Sequence, residues 1–127
     1  MKGMGLKEKK EKLLSSLKGK KGYKRYFGAP IRYPGGKSSA VGYILELLPN
    51  NVEKVVSPFL GGGSVEVALA KELGLKVIAF DVFDILVNFW QVLLNHEKKQ
   101  KMISTLKRLE PNKETYETVK ERLKSPV

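Results

Sequence analysis

The sequence predicts an α/β fold, and three observations carry the prediction. A β-branched run at Val55-Val56 leads into a glycine loop, Gly61-Gly62-Gly63. A helix opens at Ser64, and a second apolar run from Lys76 to Phe80 ends in an acid, Asp81. Strand, loop, helix and strand in that order make a parallel βαβ unit, whose ligands bind beyond the carboxyl ends of the strands.

Each element of the unit has its own punctuation. Pro58 removes a ladder donor and closes the first strand. The glycines let the backbone turn sharply and come close to a ligand, with the free N–H groups of the Ser64 helix facing the same loop. Gly74 is the expected terminator of that helix. Asp81 stands where a carboxylate can accept two hydrogen bonds from a ribose diol. Two commoner motifs fail on spacing. Gly61 and Gly63 begin a Gly-x-Gly-x-x-Gly fingerprint, but its third position is Glu66, which disfavours a nicotinamide site. Gly36-Lys37-Ser38 ends like a phosphate-binding P-loop, yet the required glycine five residues earlier is Ile31.

The 127 residues, 42% hydrophobic, suffice for one domain with a modest core. No apolar run approaches the roughly 20 residues that span a bilayer, and no secretory signal pattern opens the chain, so a soluble protein is expected. The absence of cysteine excludes disulfides, thiolate metal sites and a thiol nucleophile, and it is compatible with a cytoplasmic location. His96 is the single histidine; following an apolar helix, it reads as a helix-end residue and not as a metal ligand.

The net charge of +11 is uneven. Residues 1–37 hold twelve Lys/Arg against two Asp/Glu, residues 38–96 three against six, and residues 97–127 nine against five. A slightly acidic centre between basic flanks suits a polyanion that touches the flanks while a small ligand occupies the middle. Lysine-rich ends are also what a solvated or heat-adapted surface looks like.

In chain order, Leu6, Leu13, Leu14 and Leu17 have loosely helical spacing in a lysine-rich segment, with Gly19 and Gly22 to end it. Tyr23, Tyr26 and Phe27 beside Lys24 and Arg25 anchor that arm on its own domain or pack on nucleic acid. Tyr33-Pro34-Gly35-Gly36-Lys37 is a tight turn; Ser38 or Ser39 is positioned to cap a helix that carries Val41, Ile44, Leu45 and Leu48 inward, and Pro49 stops it. Both strands read as buried on both faces. The stretch from Asp84 to His96 is helical and apolar nearly all round, which predicts burial.

The pairing of Arg32-Tyr33-Pro34-Gly35-Gly36-Lys37 with Ser57-Pro58-Phe59-Leu60-Gly61-Gly62-Gly63-Ser64 and then Asp81 resembles the Dam-like, alpha-group N6-adenine DNA methyltransferases. The likeness covers residues 26–96, and Tyr116 to Lys124 is similar to the helix that begins that family's target-recognition region. It implies a partial Rossmann-like fold dependent on S-adenosyl-L-methionine: a basic arm (1–25), a donor-binding part (26–96) and a helical tail (97–127) that starts target recognition. By the same resemblance Tyr33 packs on the donor and Lys37 helps hold it, Pro58, Phe59, Gly61, Gly63 and Ser64 shape the cleft, and Asp81 takes the ribose hydroxyls.

Two positions depart from the pattern. Ser57 stands where the family usually has glutamate, and Phe83 where asparagine is frequent. Glu66, near the glycines, is a candidate to replace the acid missing at Ser57. The larger departure is the Asp-Pro-Pro-Tyr type tetrapeptide that holds the target amine, for which Ser125-Pro126-Val127 is no substitute. No catalytic residue is therefore assigned, and a second polypeptide carrying that motif is the expected partner, with double-stranded DNA as substrate. The competing reading is a non-catalytic, basic nucleic-acid-binding α/β module with a degenerate nucleotide pocket.

Overall fold

The computed structural model describes residues 3–123; Lys124 and the Ser125-Pro126-Val127 terminus lie outside the described residues. The chain divides into two compact units, residues 1–84 and 85–127.

The first unit opens with helix α1 (Leu6–Leu17), followed by a small antiparallel hairpin of β1 (Lys18–Gly19) and β2 (Gly22–Tyr23). The hairpin lies where the glycines predict only a helix stop, and Gly22 takes a φ of +115° as its strand begins. Helix α1 is no free arm: Leu17 is in the core and Leu6, Leu13 and Leu14 pack against it. Lys10, on the same helix, buries its stem and donates from Nζ to the Leu48 carbonyl at 2.7 Å, which ties α1 to the end of the next helix. Tyr26 is likewise anchored: its ring is buried and its hydroxyl donates to Glu72 Oε1 at 3.1 Å. Burial, then the Glu72 carboxylate, push that hydroxyl up to about 12.

Helix α2 (Val41–Glu46) buries Val41 and Leu45 completely. Two expectations fail here. Neither Ser38 nor Ser39 caps the helix; the chain enters through a turn closed by Ala40 N–H to the Lys37 carbonyl at 2.9 Å, and Ala40 is the first flanking residue. Ile44 is not inward but 38% exposed. The helix is too short to wind its whole apolar stripe onto one neighbour.

Strands β3 (Lys54–Ser57) and β4 (Lys76–Ala79) pair in parallel, Val55 opposite Val77 and Val56 opposite Ile78. Between them α3 (Ser64–Val67) continues directly into a π-helical turn, Ala68–Glu72, where Leu73 N–H reaches back five residues to the Ala68 carbonyl at 3.3 Å. Gly74 ends the helix at a φ of +68°, as its position predicts. Val55 and Val77 pack on the core with Ala68, Leu69 and Leu73, but Val56 is 57% exposed. The strands are thus covered on one face, in correction of the two-sided burial that their composition predicts. Among the described residues this sheet has two strands.

The second unit consists of helices. Helix α4 (Asp84–Leu94) buries Leu86 alone, while Ile85 and Leu94 are exposed, so its apolar circumference does not translate into burial. His96 does not end this helix: it is the first residue of α5 (His96–Arg108), whose N-cap Asn95 accepts from Lys98 N–H at 3.0 Å. Helix α6 (Lys113–Leu123) starts the same way, with Asn112 Oδ1 accepting from Thr115 N–H at 2.8 Å. No helix among the described residues is long and apolar enough to cross a membrane.

Candidate functional site

The parallel pair sets the second glycine loop. Beyond the end of β4, Phe80 N–H still donates to the Ser57 carbonyl at 2.8 Å, and Leu60 N–H donates to the Phe80 carbonyl at 2.8 Å. The loop after β3 is thereby tied to the residue that precedes Asp81. Gly61 and Gly63 take φ values of +55° and +75°, which L side chains rarely adopt, and the turn delivers Gly61 N–H to Asp81 Oδ2 at 2.9 Å. The other oxygen of Asp81 accepts from Phe83 N–H at 3.0 Å. These backbone donors, Phe83 first and Gly61 second, hold the carboxyl below its usual range. Val82 N–H adds a third, weaker backbone contact, so of the about four acceptor positions of a carboxylate at least one remains for a ribose hydroxyl.

The first loop is held against the second by its tyrosine. Gly36 N–H closes a turn on the Tyr33 carbonyl at 2.9 Å, and Gly35 takes a φ of +76°. A methyl group placed on Gly62 would lie 3.0 Å from Tyr33 Cβ and 3.4 Å from the Ile31 carbonyl oxygen; one on Gly61 would lie 3.4 Å from the Tyr33 ring. The two loops therefore approach as closely as glycine allows. Lys37 folds back, its Nζ donating to the Gly35 carbonyl at 2.6 Å.

A cavity of about 400 Å³ lies between the loops, within the range of small-molecule sites. Tyr33, Lys37, Phe59, Gly61, Gly63, Ser64 and Asp81 line it together, so seven of the eight residues named from the sequence meet there; Pro58 does not line it. Glu66 does. Its Oε2 accepts a short hydrogen bond from the Ser57 hydroxyl, which brings a carboxylate from α3 to the strand position where the sequence lacks one.

A second concavity, of about 590 Å³, shares Tyr33, Pro34, Gly35, Gly36, Gly62 and Ser64 with the first and adds Arg25, Phe27, Arg32, Ser38 and Ser39. Phe27 is 80% exposed. The sequence reading does not assemble this surface; the alternation of cations and aromatics over residues 25–33 is the signal that points to it. No group of three His, Cys, Asp or Glu among the described residues is placed to hold a metal.

These features define a mixed α/β unit with a glycine-lined cavity at the carboxyl ends of paired parallel strands. The family model of the D12 class N6 adenine-specific DNA methyltransferases matches residues 33–125, and the chain belongs to that family. No curated protein and no solved structure matches it. Family membership implies S-adenosylmethionine as methyl donor and DNA as substrate. The cavity fits such a donor: it has a close-approach glycine cradle under an aromatic ring, a carboxylate with spare acceptor positions at Asp81, and one cation and one further carboxylate at Lys37 and Glu66.

Proposed function

We propose that this chain is the S-adenosylmethionine-binding part, as subunit or fragment, of a site-specific, Dam-like alpha-group DNA adenine-N6 methyltransferase. The observation that carries the reading is the convergence of Tyr33, Lys37, Phe59, Gly61, Gly63, Ser64 and Asp81 on one cavity. In it Tyr33 forms the aromatic wall, the glycines admit the ligand against the backbone, Asp81 takes the ribose hydroxyls, and Lys37 meets the carboxylate of the amino-acid portion. The bound donor supplies an electrophilic methyl group for the amine of a flipped adenine.

The target amine needs acceptors that these 127 residues do not contain, because no Asp-Pro-Pro-Tyr type tetrapeptide occurs in them. A second polypeptide supplies that motif in this account. The exposed Val56 and the two-stranded sheet support it, since a parallel sheet ordinarily has both faces covered. Duplex DNA meets the basic flanks and the concavity of Arg25, Phe27 and Arg32.

The test measures methyl transfer from labelled S-adenosylmethionine to adenine in duplex DNA, with the purified chain alone and with a chain that carries the tetrapeptide, alongside the mass of each species in solution. The expected result is an inactive isolated chain and an active, heavier complex. A monomer that methylates adenine unaided would sink the split arrangement. A chain that binds DNA but neither binds the donor nor transfers methyl with any partner would favour the non-catalytic nucleic-acid module.

A further inference from the structure

We infer that Glu66 is the residue that binds the α-ammonium group of the donor's amino-acid portion, with Ser57 as its positioning partner. The inference deepens the donor-binding reading and rests on it.

An α-amino acid head is a zwitterion, and a cavity lined by both an anion and a cation can meet each of its charges with a charge-assisted hydrogen bond. The cavity between the loops supplies both. Lys37 and Glu66 line it together with Asp81, and they do so from different elements, Lys37 from the Tyr33–Lys37 turn and Glu66 from the first turn of α3. Asp81 is the less suited of the two acids for a cation. Both its oxygens already accept from the backbone of the glycine loop and of Phe83, which fixes its place beside the turn.

Glu66 differs in each respect. It is half-buried, its described hydrogen bond is to one neutral hydroxyl, and no lysine or arginine among the described residues pairs with it. A carboxylate that lines a cavity in this way, with one described hydrogen bond, leaves most of its acceptor positions for a ligand. The Ser57 bond supplies direction. By donating to Oε2, Ser57 holds the Glu66 side chain back toward the end of β3, over the loop, instead of leaving it extended into solvent from a helix surface. Ser57 Oγ and the Glu66 carboxylate are in contact, so a carboxylate grown from position 57 would occupy nearly the same space. The charge thus has two possible covalent origins and one place.

Equilibrium dialysis with two ligands isolates the ammonium contact. S-adenosylhomocysteine carries the amino-acid head; 5′-methylthioadenosine keeps the adenosine and the sulfur but lacks that head. Loss of one charge-assisted contact predicts that Glu66→Gln weakens S-adenosylhomocysteine by about tenfold or more while leaving 5′-methylthioadenosine unchanged. Asp81→Ala, on the ribose side, should weaken both. The double variant Ser57→Glu/Glu66→Gln should restore most of the lost S-adenosylhomocysteine affinity. Equal affinity of wild type and Glu66→Gln for S-adenosylhomocysteine would overturn the assignment, as would a loss shared by both ligands or a double variant without rescue. Wild type that binds neither compound would take down the donor site itself.

Discussion

Gly61 and Asp81 form the contact on which the site depends, and each makes a prediction. Gly61 has a φ of +55° and the Tyr33 ring against it, so Gly61→Ala should cost about 1–2 kcal/mol of stability by denaturant unfolding, besides displacing the N–H that Asp81 accepts. Asp81 is held below its usual range by Phe83 and Gly61 N–H groups. Its interaction therefore stabilises the fold fully above the unfolded value of about 3.9, and fades as the pH drops from there through the lower folded-state value. The stability difference between wild type and Asp81→Asn should be constant from neutral pH down to about pH 5 and shrink below pH 4. A difference that stays flat as the pH falls from about 5 through about 2 would mean that the backbone bonds do not hold the ionised carboxylate. At this scale the sequence is most legible. Glycine and acid report a backbone need directly, so the spacing of Gly61, Gly63 and Asp81 is readable without a fold. The Ser57–Glu66 bond is less so, because it joins residues nine apart on two elements and only their packing orients it.

Helix α2 shows where patterning stops working. Its apolar residues have helical spacing, yet Leu45 is wholly buried and Ile44 is 38% exposed. With six residues, the helix offers one narrow face to α1 and the core, and a one-residue step of 100° carries Ile44 out of it. Leu45→Ala should cost about 2–5 kcal/mol, and Ile44→Ala less than about 1 kcal/mol, by urea unfolding. Similar losses at both positions would contradict the observed packing. The hairpin at residues 18–23 was hidden for a related reason: strands of two residues carry no period to detect. Helix α4 fails in the other direction. Its composition predicts burial, but composition records what a surface would gain by being covered, not whether the covering element is present. His96 reads as a helix end because the segment looks continuous in sequence, whereas Asn95, a strong cap, starts a new helix there.

At the scale of the whole molecule, charge and site divide the work. In the proposed reading the basic flanks and the concavity of Arg25 and Arg32 attract a polyanion, while the cavity between the loops takes the small zwitterionic donor. Each phosphate neutralised releases counterions, so affinity for duplex DNA should fall at least about tenfold between 50 and 200 mM salt. A flat response would make the lysines a solubilising surface. The βαβ topology was legible because strand, glycine loop and acid are contiguous; how the sheet is covered was not, since that depends on neighbours that these strands do not encode. The central claim is that the loop of Tyr33–Lys37 and the turn from Gly61 to Asp81 together hold S-adenosylmethionine. It is tested most directly by calorimetric titration of wild type and Asp81→Ala with that donor. Saturable one-to-one binding to wild type, lost in a folded Asp81→Ala protein, is the predicted result; no heat from a folded wild type, or equal binding by the variant, would contradict it.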